Sequence, residues 1–174
     1  MQTITKCLNE WNPVIEALGQ GKQTLLVRKY VTTLNKFLLY PTVSYTLRSD
    51  YQESFQEKYQ SFASDNELPK IDGKKMEVKY FAKVQKVIEK HSKKNKSFLK
   101  DYYVWTPEHV KSYIGGKKAY IWILRVYALK KPVMAERTKG IRYSNLLEPV
   151  TLDAVPVLSD AEFDNTVKEI ESRL

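Results

Sequence analysis

Apolar residues recur along this chain in two periods, and the switches between them mark out its elements. Trp11, Val14, Ile15 and Leu18 repeat at helical spacing, Pro13 suits a first helical turn, and Gly19 or Gly21 supplies the stop. Residues 24–30 then predict a strand, with Leu25, Val27 and Lys29 on one side and Thr24, Leu26, Arg28 and Tyr30 on the other. Each side of it carries apolar residues and one cation. A second strand, FLLY, ends at Pro41, which cannot donate to a ladder. Leu47, Tyr51, Phe55, Tyr59 and Phe62 form a helical stripe, closed by Ser64 to Asn66 and by Leu68-Pro69, with a loop on through Asp72-Gly73. From Met76 the period falls to two: Met76, Val78, Tyr80, Ala82 and Val84 alternate with Glu77, Lys79 and Lys83, as in a half-exposed strand, with Phe81 breaking the polar side.

Beyond it, VQKVIEKHSKKNKSFLK gathers Lys86, Lys90, Lys93, Lys94, Lys96 and Lys100 around His91. Two readings stay open: a solvated turn between strands, or a phosphate-contacting loop followed by Tyr102, Tyr103 and Trp105 for stacking. Thr106-Pro107-Glu108 opens a short helix that Gly115-Gly116 stops after Ile114. Residues 119–129 are apolar on both faces and predict a central strand, which Pro132 ends. The segment 135–149 reads as polar and irregular, with Gly140 in a turn. Ser159 to Glu162 is a capping box, Leu158 can staple onto Phe163, and Val167, Ile170 and Leu174 continue a final amphipathic helix. These elements predict one α+β domain over 1–174: a mixed or antiparallel, partly closed sheet of about five or six strands with about three or four helices.

With 43% hydrophobic and 12% aromatic residues the chain has the composition of a folded protein. Its single cysteine, Cys7, excludes an intrachain disulfide. The opening MQTITKCLNEW lacks a secretory pattern, which makes a reducing cytoplasm the expected compartment. The longest apolar run, 119–129, is about half a bilayer crossing and is interrupted by Arg125, so no membrane association is expected. Lysine and arginine exceed the acids by 29 to 20, a formal +9 that favours polyanionic partners.

Arg28 and Arg125 lie within otherwise apolar strands, and a guanidinium taken out of water needs an anionic partner. That partner is either an internal carboxylate, with Glu16, Glu136 and Glu148 as candidates, or a bound phosphate or base edge. For nucleic acid the expected contacts are Arg28, Lys29 and Arg125, the lysines Lys93, Lys94 and Lys96 for steering, and Tyr40 or Trp105 for stacking. No metal site or cofactor is expected: His91, His109 and Cys7 do not fall at zinc spacing, nothing local supports a Cys-His pair, and no Gly-rich phosphate loop is present. Asp72, Glu77 and Lys79 superficially match the acid, acid-x-lysine arrangement of magnesium-dependent nucleases, although strand alternation already accounts for Glu77 and Lys79.

The runs EALGQGKQTLLVRK, FLLYPT, VWTPEHV, LRVYALKKP and PVLSD with AEF resemble, in order and across almost the whole chain, a bacterial and archaeal family known only as a conserved domain of unknown function. The chain departs from that pattern at Gly140 to Leu146, where a Gly-Cys and a Ser-Trp are expected and GIRYSNL stands. The resemblance carries no established activity and suggests an association with restriction-type defence. More weakly, Gly21, Lys22, Thr24 and Arg28 look like the entry to small barrels of the PUA-like group, including the ASCH and EVE types, which bind RNA or modified bases in a cleft between a helix and the barrel. Three functions follow as expectations: a nucleic-acid-binding module, a metal-dependent nuclease, or an interaction subunit that docks a protein partner through its terminal helix.

Overall fold

The computed structural model describes residues 1–90 and 96–174. In chain order the elements are β1 (Thr3–Trp11), α1 (Asn12–Gly19), β2 (Leu25–Arg28), β3 (Lys36–Thr42), α2 (Glu57–Asp65), β4 (Ile71–Asp72) and β5 (Lys75–Lys90). They continue with α3 (Pro107–Ile114), β6 (Ala119–Ala135), β7 (Tyr143–Thr151), β8 (Ala154–Pro156) and α4 (Asp160–Ser172). Short 3-10 turns occupy Ser44–Leu47, Tyr51–Ser54 and Lys96–Tyr102. The protein is therefore α+β. Among the described residues eight strands form one sheet in the order β2-β6-β5-β3-β1-β7, with β4 on β5 and β8 on β6.

The sheet is mixed because β1 pairs with β3 in parallel, and every other pairing is antiparallel. α1 makes that parallel step possible by carrying the chain out of the sheet, and its residues from Asn12 to Leu18 are buried. The sheet is not closed, since its end strands β2 and β7 do not pair. A single bridge from Arg137 to Leu146, flanked by Thr138 N–H to the Asn145 carbonyl at 2.8 Å and Leu147 N–H to the Glu136 carbonyl at 3.0 Å, curls the end of β6 towards β7. The main core holds Trp122, Phe37, Leu25 and Leu26 with the helices, and a smaller one holds Cys7, Leu38, Tyr40 and Phe81. No helix among the described residues is long and apolar enough to cross a membrane.

Five local readings are corrected. β1 replaces an unassigned N-terminus and lies inside the sheet between β3 and β7. The helical stripe from Leu47 to Phe62 is broken: Phe55 bridges to Trp105, Gln56 N–H reaches the Val104 carbonyl and Thr106 N–H the Ser54 carbonyl, so strand-like pairing removes 54–56 from the helix. Leu47 is left 89% exposed. Pro132 does not end β6, because residues 129–132 fall in the register shift between the Val78–Val133 and Tyr80–Ala128 pairs, where the missing N–H breaks no ladder bond. Residues 143–151 are not irregular but form β7 against β1. Lys86 and Lys90 likewise belong to β5 and not to a turn, and Lys86 pairs with Glu171 of α4 at 3.0 Å.

Candidate functional site

A cleft of about 570 Å³ opens where the C-terminal ends of β1 and β2 meet α3 and the turn before β7. β1 contributes Asn9, Glu10 and Trp11, while β2 and the residues after it contribute Arg28, Lys29 and Tyr30. Trp105, His109 and Tyr113 come from the start and inner side of α3. Thr106 caps that helix by accepting the His109 N–H at 3.0 Å, and Gly115 ends it in the left-handed region at φ 59°. Local capping chemistry thus fixes where the imidazole of His109 sits.

Arg28 is 8% exposed, and its charge is met inside the protein by Glu10, a carboxylate that the sequence did not single out. Burial is the largest single effect and opposes the guanidinium's charge, but the charge and hydrogen bond of Glu10 together with Tyr30 and Tyr113 outweigh it in sum and hold the pKa above its usual value. Arg28 also donates to the Val27 carbonyl at 3.1 Å, and its guanidinium carbon lies 5.9 Å from the Trp105 ring and 6.0 Å from the Tyr113 ring. Lys29 stands 4.8 Å over Tyr113, and Arg142 lies 3.8 Å over Tyr30. Arg48 completes the lining cations, so Arg28, Lys29, Arg48 and Arg142 face one carboxylate, Glu10.

The ring faces are equally dense. Trp11 stacks on Tyr45 at 4.8 Å and lies 5.8 Å from His109, which in turn stacks on Trp105 at 6.5 Å. Burial, helped by the charge of Arg48, lowers the His109 pKa, so the imidazole is neutral at pH 7 and offers one donor and one acceptor.

Asn9, which no sequence pattern singles out, organises the rim. Its amide donates to the Gly140 carbonyl at 3.1 Å and the Ile141 carbonyl at 3.4 Å and accepts from the Ser144 hydroxyl at 2.8 Å, while its backbone N–H bonds the Arg142 carbonyl at 2.9 Å. Gly140 has no room for a methyl group against the Tyr143 carbonyl. This pinned turn separates the first cleft from a second, of about 730 Å³, which holds Tyr40, Lys74, Arg137 and Lys139.

The expected contacts divide sharply. Arg28, Lys29 and Trp105 come together in the first cleft, where Trp105, 5% exposed, packs into the main core at its floor and Trp11, Tyr30 and Tyr113 offer the more open rings. Tyr40 does not join them: it is 2% exposed, donates its hydroxyl to the Ala135 carbonyl at 2.8 Å and is faced by Arg137, so its ring belongs to the smaller core. Arg125 is not part of either cleft; it bonds Asp160 and the Leu158 carbonyl, both at 2.9 Å, and lies over Phe163, so its anion is the protein's own. Lys93 and Lys94 lie outside the described residues, and Lys96 begins the turn Lys96–Tyr102.

The nuclease triad is not gathered. Lys79 is paired with buried Glu16 at 2.6 Å, and Glu77 shares a small cleft with both, whereas Asp72 lies on β4 outside that lining. Among the described residues no group of three or more His, Cys, Asp or Glu could hold a metal ion. Cys7 is sealed in the smaller core, with burial pushing its thiol up to about 12, and His109 lies in the first cleft, so the two form no pair.

With this geometry in place, residues 7–169 match the model of the family described as Domain of unknown function (DUF1802), and the chain belongs to that family. No curated protein matches its sequence. The structure is similar to that of ASCH from Zymomonas mobilis, at 15% identity and a TM-score of 0.45, covering 94% of this chain and 93% of that one. A serine-to-alanine variant of the same protein aligns at 14% identity and a TM-score of 0.48, covering 94% of each chain. A tyrosine-to-phenylalanine variant aligns at 14% and 0.43, covering 94% and 96%.

Proposed function

We propose that this chain is a nucleic-acid-binding module that seats an unpaired base of a single strand in the first cleft. The observation that carries the reading is one concave site in which Arg28, Lys29, Arg48 and Arg142 stand among the rings of Trp11, Tyr30, Trp105 and Tyr113 against a single acid. Cations meet the backbone and ring faces stack bases of any sequence, which is the combination that single strands require. Neutral His109 adds a donor and an acceptor for a base edge without a charge that would have to be desolvated.

The test is fluorescence anisotropy with short labelled single strands of DNA and RNA across a salt series. With Arg28 already neutralised by Glu10, three phosphate contacts from Lys29, Arg48 and Arg142 predict a slope of log affinity against log salt of about −2. Lys29→Ala and Arg142→Ala, which break no ion pair among the described residues, are each expected to weaken binding about tenfold and to make that slope shallower by about one contact. Arg125→Ala is expected to leave affinity within about twofold, because its partner is Asp160. Absence of binding at low salt, or binding indifferent to both Lys29→Ala and Arg142→Ala, overturns the proposal.

A further inference from the structure

The second cleft has no part in seating one base, yet it begins where the first ends. Asn9, Glu10, Trp11 and Ile141 line both, so the turn at 140–141 is a crest between two adjoining hollows. Asn9 holds the crest from below through the Gly140 and Ile141 carbonyls. Arg137 holds it from the side, donating to the Thr138 carbonyl at 3.2 Å and the Gly140 carbonyl at 3.1 Å. On this braced turn Ile141 is 95% exposed, a branched apolar side chain presented to solvent between two basic hollows. With Arg137 engaged in the brace, Lys74 and Lys139 are the second cleft's remaining cations, and neither forms an ion pair among the described residues.

We infer that a single strand crosses this crest with one nucleotide in each cleft and Ile141 wedged between the two bases. The inference rests on the reading of the first cleft as a nucleotide site. An apolar side chain inserted at a base step trades base–base stacking for burial of its own surface, and it does so effectively when it cannot fold away. Three hydrogen bonds to backbone carbonyls at or beside the tip of the turn supply that rigidity. The base freed on one side meets the rings of the first cleft, and Lys74 and Lys139 receive the phosphate on the other. The ligand is thereby a strand of at least two nucleotides, and a free nucleotide fills only half of the site.

A phosphorylated dinucleotide of two 2-aminopurines tests this, because its stacked bases give a coupled circular dichroism beyond the protein's own absorption. On saturation with the wild-type protein the coupled signal is expected to fall by at least about half, and with Ile141→Ser it is expected to persist. The double substitution Lys74→Ala with Lys139→Ala is expected to weaken the dinucleotide about tenfold and 2-aminopurine nucleoside monophosphate by less than about twofold. An undiminished signal on the saturated wild-type protein overturns the wedge. Equal loss for the two ligands in the lysine variant, or no loss for either, overturns the second nucleotide position while leaving the first cleft's role intact. Failure of both ligands to bind the wild-type protein removes the first cleft's reading as well.

Discussion

Glu10 and Arg28 neutralise each other at the floor of the first cleft, and Glu10 also receives the Trp11 N–H at 2.7 Å. Glu10→Gln strands a guanidinium that is almost out of solvent, so the urea midpoint is expected to drop by the equivalent of about 3 to 5 kcal/mol. An unchanged midpoint would show that solvent in the cleft, not Glu10, carries that charge. His109 gives a pH dependence of definite sign. Its folded pKa lies below the unfolded value, so the unfolded chain binds more protons in the window beneath about 6.5, and stability must fall as pH falls through that window. Denaturant titrations at pH 7.5 and about pH 5.5 should therefore differ by more for the wild type than for His109→Gln, and equal differences would remove His109 as the cause. Arg28 was legible in the sequence as a cation needing a counter-ion, but Glu10 was not chosen because TITKCLNEW alternates too weakly to announce a strand. Asn9 was missed for a further reason: its importance comes from bonds to residues more than a hundred positions away.

At the level of elements, what the sequence reveals is what short-range chemistry decides. The Thr106 cap, the Gly115 stop and the reciprocal Ser159–Glu162 capping box all stand where the residue pattern places them. These two caps give a paired test. Thr106→Ala and Ser159→Ala should each cost about 1 kcal/mol of stability. Only Thr106→Ala should also weaken nucleic-acid binding, because α3 carries His109 and Tyr113 into the cleft while α4 lies outside its lining. Equal effects of the two on binding would mean that the position of α3 does not control the site. Elements set by distant partners were opaque. Nothing local in 54–56 reveals that Val104 and Trp105 will pair with it, and Ser144 reads as a loop residue until its hydroxyl is seen bonded to Asn9. Proline at 132 misleads because a register shift is invisible in one strand alone.

Across the molecule, the α+β class and the family were legible because they rest on the sum of many periodic segments and motifs, and a sum tolerates local errors. The arrangement of the strands was not, since it depends on β1 lying parallel to β3 and antiparallel to β7. The terminal helix, expected as a protein-docking surface, turns Phe163 and Ile170 inward. It is tied down by Arg125–Asp160, Lys86–Glu171 and a bond from the Tyr102 hydroxyl to Glu169, and apart from Ala161 its exposed positions are polar. The pairing of β1 with β7 also has a temporal side. Residues 3–11 are made well before their partners, and the register that joins Cys7 to Ser144 and Leu8 to Tyr143 can form only once residues 143–151 have followed them. The rim of the first cleft thus waits for β7 during synthesis, and a nascent chain halted before residue 143 carries the arginine and the rings without the surface that brings them to bear on a ligand.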